Sequence, residues 1–153
     1  MTMTLTSTAF GDGERIPVRH TCDGRDVSPS MAWSGVPKNA KSLVLICDDP
    51  DAPRNTFAHW AVFDMPPDKA GLEEGYGNGK PSDARQALND FGNEGWGGPC
   101  PPVDHGVHHY SFRLLALGTP NLDLPADADC RQVEEAAMPH VLAEAELTGL
   151  YER

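Results

Sequence analysis

Apolar and polar positions along the chain fall into a few clear periods. Residues 41–47 (Lys-Ser-Leu-Val-Leu-Ile-Cys) form a short apolar, β-branched run bounded by turn-forming residues, which predicts a buried strand. The run stops at residues 48–53 (Asp-Asp-Pro-Asp-Ala-Pro), where two prolines remove the amide hydrogens a ladder needs. Residues 57–65 predict a second strand. Alternation puts Phe57, His59, Ala61, Phe63 and Met65 on one face and Ala58, Trp60, Val62 and Asp64 on the other. A third strand is predicted over 108–117, with His108, Tyr110, Phe112, Leu114 and Ala116 sharing a face opposite His109, Ser111, Arg113, Leu115 and Leu117.

One helical segment stands apart. Asp129 can cap it and Gln132 sits at the capping-box position, so a helix is expected from there to about Ala143, with Pro139 in conflict inside it. From Ala143 the pattern returns to strict alternation and predicts a short final strand. The N-terminal third holds short extended pieces between Gly- and Pro-based turns, and residues 66–107 read mostly as loop. A loop this long inside a compact domain is more often functional than filler. The expected architecture is mainly β: an antiparallel domain with one or two peripheral helices.

Composition sharpens this picture. A chain of 153 residues fits one domain, and 15 Gly with 14 Pro suit a turn-rich β fold better than a bundle. Twelve Lys and Arg against 23 Asp and Glu give a net charge of −11. That excludes a binder of the nucleic-acid phosphate backbone and a polybasic membrane-surface protein. No apolar run approaches a membrane span, so membrane insertion is not expected. The four Cys (22, 47, 100 and 130) show no C-x-x-C pair and no zinc-ligand spacing, and residues 1–10 show no signal-peptide pattern. The expectation is a soluble, cytoplasmic protein with free thiols.

Candidate chemistry collects where strands end: Asp49 and Asp51, His59, and His108 with Tyr110. His108 and Tyr110, at i and i+2, share a strand face, and His59 joins them if its strand pairs with theirs. Residues 97–102 (Gly-Gly-Pro-Cys-Pro-Pro) supply a rigid wall that a ligand can approach closely. Two His with two Asp are also a plausible Zn²⁺ or Mn²⁺ set by ligand type, so a hydrolase or metal-dependent enzyme is the alternative reading. Against it, the sequence has no G-x-S-x-G elbow, G-x-G-x-x-G fingerprint, Walker A loop or H-x-x-x-H motif on a helix. Cys100 is the single candidate nucleophile, and a small residue in a tight loop is its plainer explanation.

These segments together resemble a known family. Asp49-Pro-Asp-Ala-Pro53, His59-Trp60, Gly98-Pro-Cys-Pro-Pro102 and Gly106-Val-His-His-Tyr110 closely resemble the signatures of the phosphatidylethanolamine-binding protein family. Asp26-Val-Ser-Pro29, Trp33 with Val36-Pro37, and the stretch from His140 to Tyr151 look like its bacterial, Raf-kinase-inhibitor-like branch. The resemblance implies a Greek-key antiparallel fold of two sheets and a small anion pocket, without cofactor or metal. It carries the ligand-binding role to Asp49, Asp51, Pro53, Phe57, His59, Gly98, Pro101, His108 and Tyr110. It further implies a small anionic or phosphorylated ligand, regulation of a protein partner such as a kinase or protease, and a homodimer, rather than an enzyme. His109 stands where the family usually has Arg, which puts in question the ion pair that Arg supports. For the acidic residues two roles are open: orienting the imidazoles, or receiving the ammonium of a zwitterion such as phosphoethanolamine.

Overall fold

The computed structural model describes residues 2–153. Among the described residues there are nine strands, β1 (Thr4–Thr6), β2 (Glu14–Arg15), β3 (Met31–Ser34), β4 (Ser42–Asp49), β5 (Phe57–Met65), β6 (Gly71–Leu72), β7 (Arg85–Gln86), β8 (His108–Leu117) and β9 (Val141–Tyr151), and one α-helix, α1 (Cys130–Ala137). They form a three-stranded sheet, β1-β3-β6, and a six-stranded sheet, β2-β9-β8-β4-β5-β7. The chain leaves β5 and returns through residues 66–107 to place β8 beside β4, the over-the-edge return of a Greek key. All pairings are antiparallel except the two-residue β2, which runs parallel to β9.

The large sheet is buried on both faces at its centre. Leu43, Leu45, Trp60, Val62, Phe112 and Leu114 pack toward the small sheet, against Leu5, Met31, Trp33 and Leu72. On the opposite face Val44, Ile46, Ala61, Phe63 and Leu115 pack under Val133 and Ala137 of α1. Double burial explains why β4 reads as a continuous apolar run instead of alternating. β9 keeps the alternation, with Ala145, Leu147 and Tyr151 buried and Glu144 and Glu146 exposed.

Three expectations need correction. The helix ends at Ala137, well before Ala143; Pro139 lies in a single 3₁₀ turn over Met138–His140, and the strand begins at Val141. Proline has no amide hydrogen to continue the helical ladder, so the local conflict resolves by stopping the helix. The capping box itself is present: Asp129 accepts from the Gln132 amide at 2.9 Å and Gln132 accepts from the Asp129 amide at 2.9 Å.

The simple alternation assigned to β5 also fails. Cys47 pairs with Trp60 while the next residue, Asp48, pairs with Ala58, so His59 is the extra residue of a β-bulge. A second irregularity falls near Asp64, whose φ of 57° lies in the left-handed region. The bulge therefore separates His59 from the face of Ala61 and Phe63. Finally, β5 and β8 do not pair, because β4 runs between them.

Candidate functional site

The bulge matters because it turns His59 and Trp60 toward the same side of the sheet, the side that carries Tyr110. The His59 ring meets Tyr110 edge-on at 5.2 Å between centroids. Asp49 closes β4 on that side, and His108 opens β8. These four side chains are all buried, and with Pro53, Phe57, Phe91 and Pro101 they line a cavity of about 200 Å³. The site is thus polar on its floor and apolar around its walls.

Hydrogen bonds commit most of the floor. Asp49 accepts from His108 Nδ1–H at 2.6 Å and, through its other oxygen, from the Asp51 amide at 2.8 Å. His108 Nε2 lies 2.7 Å from Nδ1 of His105, an exposed residue of the loop that precedes β8. His59 Nδ1–H donates to the Gly97 carbonyl at 2.6 Å. Burial pushes the His59 pKa below its ordinary 6.5, although the Gly97 bond and the Asp49 charge act the other way. The ring is therefore a neutral imidazole near pH 7, with its proton on Nδ1.

Tyr110 is the exception. Its hydroxyl is buried and makes no hydrogen bond of good geometry, with the already engaged Asp49 carboxylate as a weak acceptor beside it, and the residue is only 1% exposed. Burial, then the nearby Asp49 charge, pushes its pKa well above the ordinary 10.0. Tyr110 therefore offers a firmly protonated O–H to the cavity. No Lys or Arg lines the space.

Of the nine residues expected at the site, seven line the cavity: Asp49, Pro53, Phe57, His59, Pro101, His108 and Tyr110. Asp51 and Gly98 do not. The Asp51 amide folds back onto Asp49, and its side chain turns outward to accept from the His109 amide and His109 Nδ1, both at 2.7 Å. Slight burial pushes the Asp51 carboxyl up, and the two His109 bonds outweigh that, leaving it below the ordinary range. His109, where the family usually has Arg, is thus the partner of Asp51. Gly98 acts behind the wall: its amide donates to Asp26 at 2.9 Å, and a Cβ there would collide with Asp26 and the His20 carbonyl.

The thiol expectation is corrected here as well. Cys22 and Cys100 form a disulfide across 78 residues of sequence, with Cα atoms 5.4 Å apart. Cys100 lines the cavity, so the bridge is part of its wall, and a sulfur bonded to Cys22 is not a nucleophile. Cys47 and Cys130 are free and buried. Burial pushes the Cys47 thiol well up and that of Cys130 up to about 12, so both are unreactive near neutral pH. The C-terminal residue holds the same wall: Arg153 pairs with Asp23 at 3.2 Å and donates to the Pro101 carbonyl at 3.3 Å.

Two participants escaped the sequence reading. Phe91 is half-exposed and packs edge-on against Phe57, with ring centroids 4.7 Å apart. It stands in a loop where no periodicity marks it. His105 also lies outside any periodic segment, three residues before His108.

Two antiparallel sheets with a small, half-apolar pocket at the ends of the central strands define a class of β protein whose site is built by strand termini and proline loops. The chain belongs to the phosphatidylethanolamine-binding protein family: the model of that family matches residues 6–152. A UPF0098 protein of Methanothermobacter thermautotrophicus is 52% identical over 99% of both chains. The putative lipoprotein LppC of Mycobacterium tuberculosis is 36% identical, covering 98% of this chain and 72% of its own. The crystal structure of E. coli YbcL, described as a new member of the mammalian PEBP family, superposes with a TM-score of 0.95 at 34% identity, covering 100% of this chain and 99% of YbcL. The homologue CT736 of Chlamydia trachomatis gives a TM-score of 0.88 at 39% identity, over 99% and 98% of the two chains.

Proposed function

We propose that the chain is a binding module for a small anionic or phosphorylated ligand of headgroup size, held in the cavity at the ends of β4, β5 and β8. The observation that carries this reading is the unpaired, buried hydroxyl of Tyr110 beside His108. An orphan donor costs about 1–3 kcal/mol in a folded protein, and a ligand oxygen removes that cost. The space suits a headgroup and not an acyl chain, since even drug-sized pockets run from about 300 Å³ upward. Regulation of a kinase or protease partner would be an output of the loaded pocket.

Asp49 serves as an orienting group. Both of its oxygens are already engaged, one by His108 and one by the Asp51 amide, so it holds the imidazole aimed. An ammonium would have to displace those bonds. Phosphoethanolamine should therefore bind about as well as phosphate in calorimetric titrations, and His108→Ala should abolish both. Much tighter phosphoethanolamine binding would reassign Asp49 to the ammonium. No binding of either ligand by folded protein would overturn the reading.

The metal-dependent version of the enzymatic alternative lacks a ligand set. Among the described residues no three His, Cys, Asp or Glu side chains are grouped so that they could hold a metal ion. For location, the Cys22–Cys100 bridge favours an oxidising environment over the cytoplasm expected from free thiols.

A further inference from the structure

Resting on that reading of the cavity, we infer that His105 is a resident competitor for the ligand: its imidazole occupies the one available nitrogen of His108, and an anion that binds the pocket takes its place. His108 has two ring nitrogens. Nδ1 is committed to the buried Asp49 at 2.6 Å, which leaves Nε2 as the nitrogen that can reach a ligand. Nε2 is already in contact with His105 Nδ1 at 2.7 Å. Meanwhile the hydroxyl of Tyr110, two residues along the same strand face, makes no hydrogen bond of good geometry. A ligand that satisfies Tyr110 and also reaches His108 Nε2 must exchange with His105.

The two rings differ in how firmly they are held. His108 is 2% exposed and stacks with Tyr110, whereas His105 is exposed on a loop whose flanking residues, Asp104 and Gly106, both have left-handed φ values of 62° and 95°. Two backbone bonds at its base, His105 N–H to Pro102 and Asp104 N–H to Arg153, do not involve the ring. Releasing the His105 side chain therefore breaks one part-buried hydrogen bond and the ring contact that accompanies it, and leaves the backbone of the wall in place.

Proton count fixes what replaces it. Two imidazole nitrogens at 2.7 Å share a single proton, carried by one ring or the other. When that proton belongs to His108, its Nε2–H is a charge-assisted donor, and an anionic oxygen is a better acceptor for it than neutral His105. The pocket thus keeps a weak internal substitute over its donor until an anion displaces it.

The opposite role, a prop that steadies His108 for the ligand, predicts the opposite sign. Calorimetric titration with inorganic phosphate should give His105→Ala a binding constant roughly 2- to 10-fold tighter than wild type, the worth of one released hydrogen bond. In ¹⁵N-histidine spectra of the wild type, phosphate should move the His105 ring signals from hydrogen-bonded to free positions. Unchanged or weaker binding in His105→Ala, with His105 signals unmoved by phosphate in a wild type that binds it, would overturn the inference and leave the pocket reading standing. Absence of phosphate and phosphoethanolamine binding in wild type and His105→Ala alike would overturn both.

Discussion

His59 shows how much a single residue can contribute to placing a site. It is the inserted residue of a bulge, and the insertion directs it at Tyr110 instead of under the helix. Alternation alone cannot reveal this, because period-2 reading assumes an unbroken register. The same limit hid the outward turn of Asp51: it is chemically identical to Asp49, and only the backbone fold after Pro50 separates them. His108 and Tyr110, in contrast, sit on an unbroken strand, and their shared face was legible from spacing. A consequence of the buried His59 is testable. Its folded-state pKa lies below 6.5, so the unfolded chain binds more protons and the native state loses stability as pH falls from about 6.5 toward the folded value. Urea midpoints measured between pH 7.5 and 5 should fall more steeply for wild type than for His59→Gln; parallel profiles would show that the ring titrates freely.

At the scale of elements, β5 and β8 have the boundaries read from the sequence, since turn-forming residues flank both, although the alternation runs unbroken only in β8. The helix did not, because the Ala/Glu-rich stretch favours helix beyond the point where Pro139 ends it. Its start was legible through Asp129 and Gln132. Asp129 alone satisfies one otherwise unpartnered helix amide, so Asp129→Ala should lower stability by about 1 kcal/mol. Chemical denaturation checks this. A variant indistinguishable from wild type would mean that packing of Val133 and Ala137, not the cap, fixes the helix start.

At the scale of the molecule, the mainly β character was legible from the strand periods, while the two sheets were expected from the family resemblance and are found. The disulfide was not legible. Its halves lie 78 residues apart with no local spacing pattern, and it is the packing of the loop before β3 against the 97–102 loop that brings them together. A bridge closing so long a loop is worth roughly 2–5 kcal/mol. The Cys22→Ser/Cys100→Ser double variant should therefore unfold at a clearly lower urea concentration than the oxidised protein. Equal midpoints would show that the bridge constrains nothing in the unfolded chain.

The central claim is that a small anion completes the unsatisfied floor of this pocket, and the phosphate affinity of Tyr110→Phe tests it most directly. The substitution removes one oxygen and keeps the ring that packs against His59. Phosphate should bind the variant about 10-fold or more weaker than wild type, the loss of a donor to a charged group, while the folded protein becomes no less stable once its orphan hydroxyl is gone. Phosphate affinity unchanged in Tyr110→Phe would contradict the account, because the one unpaired donor in the cavity would then have no part in binding.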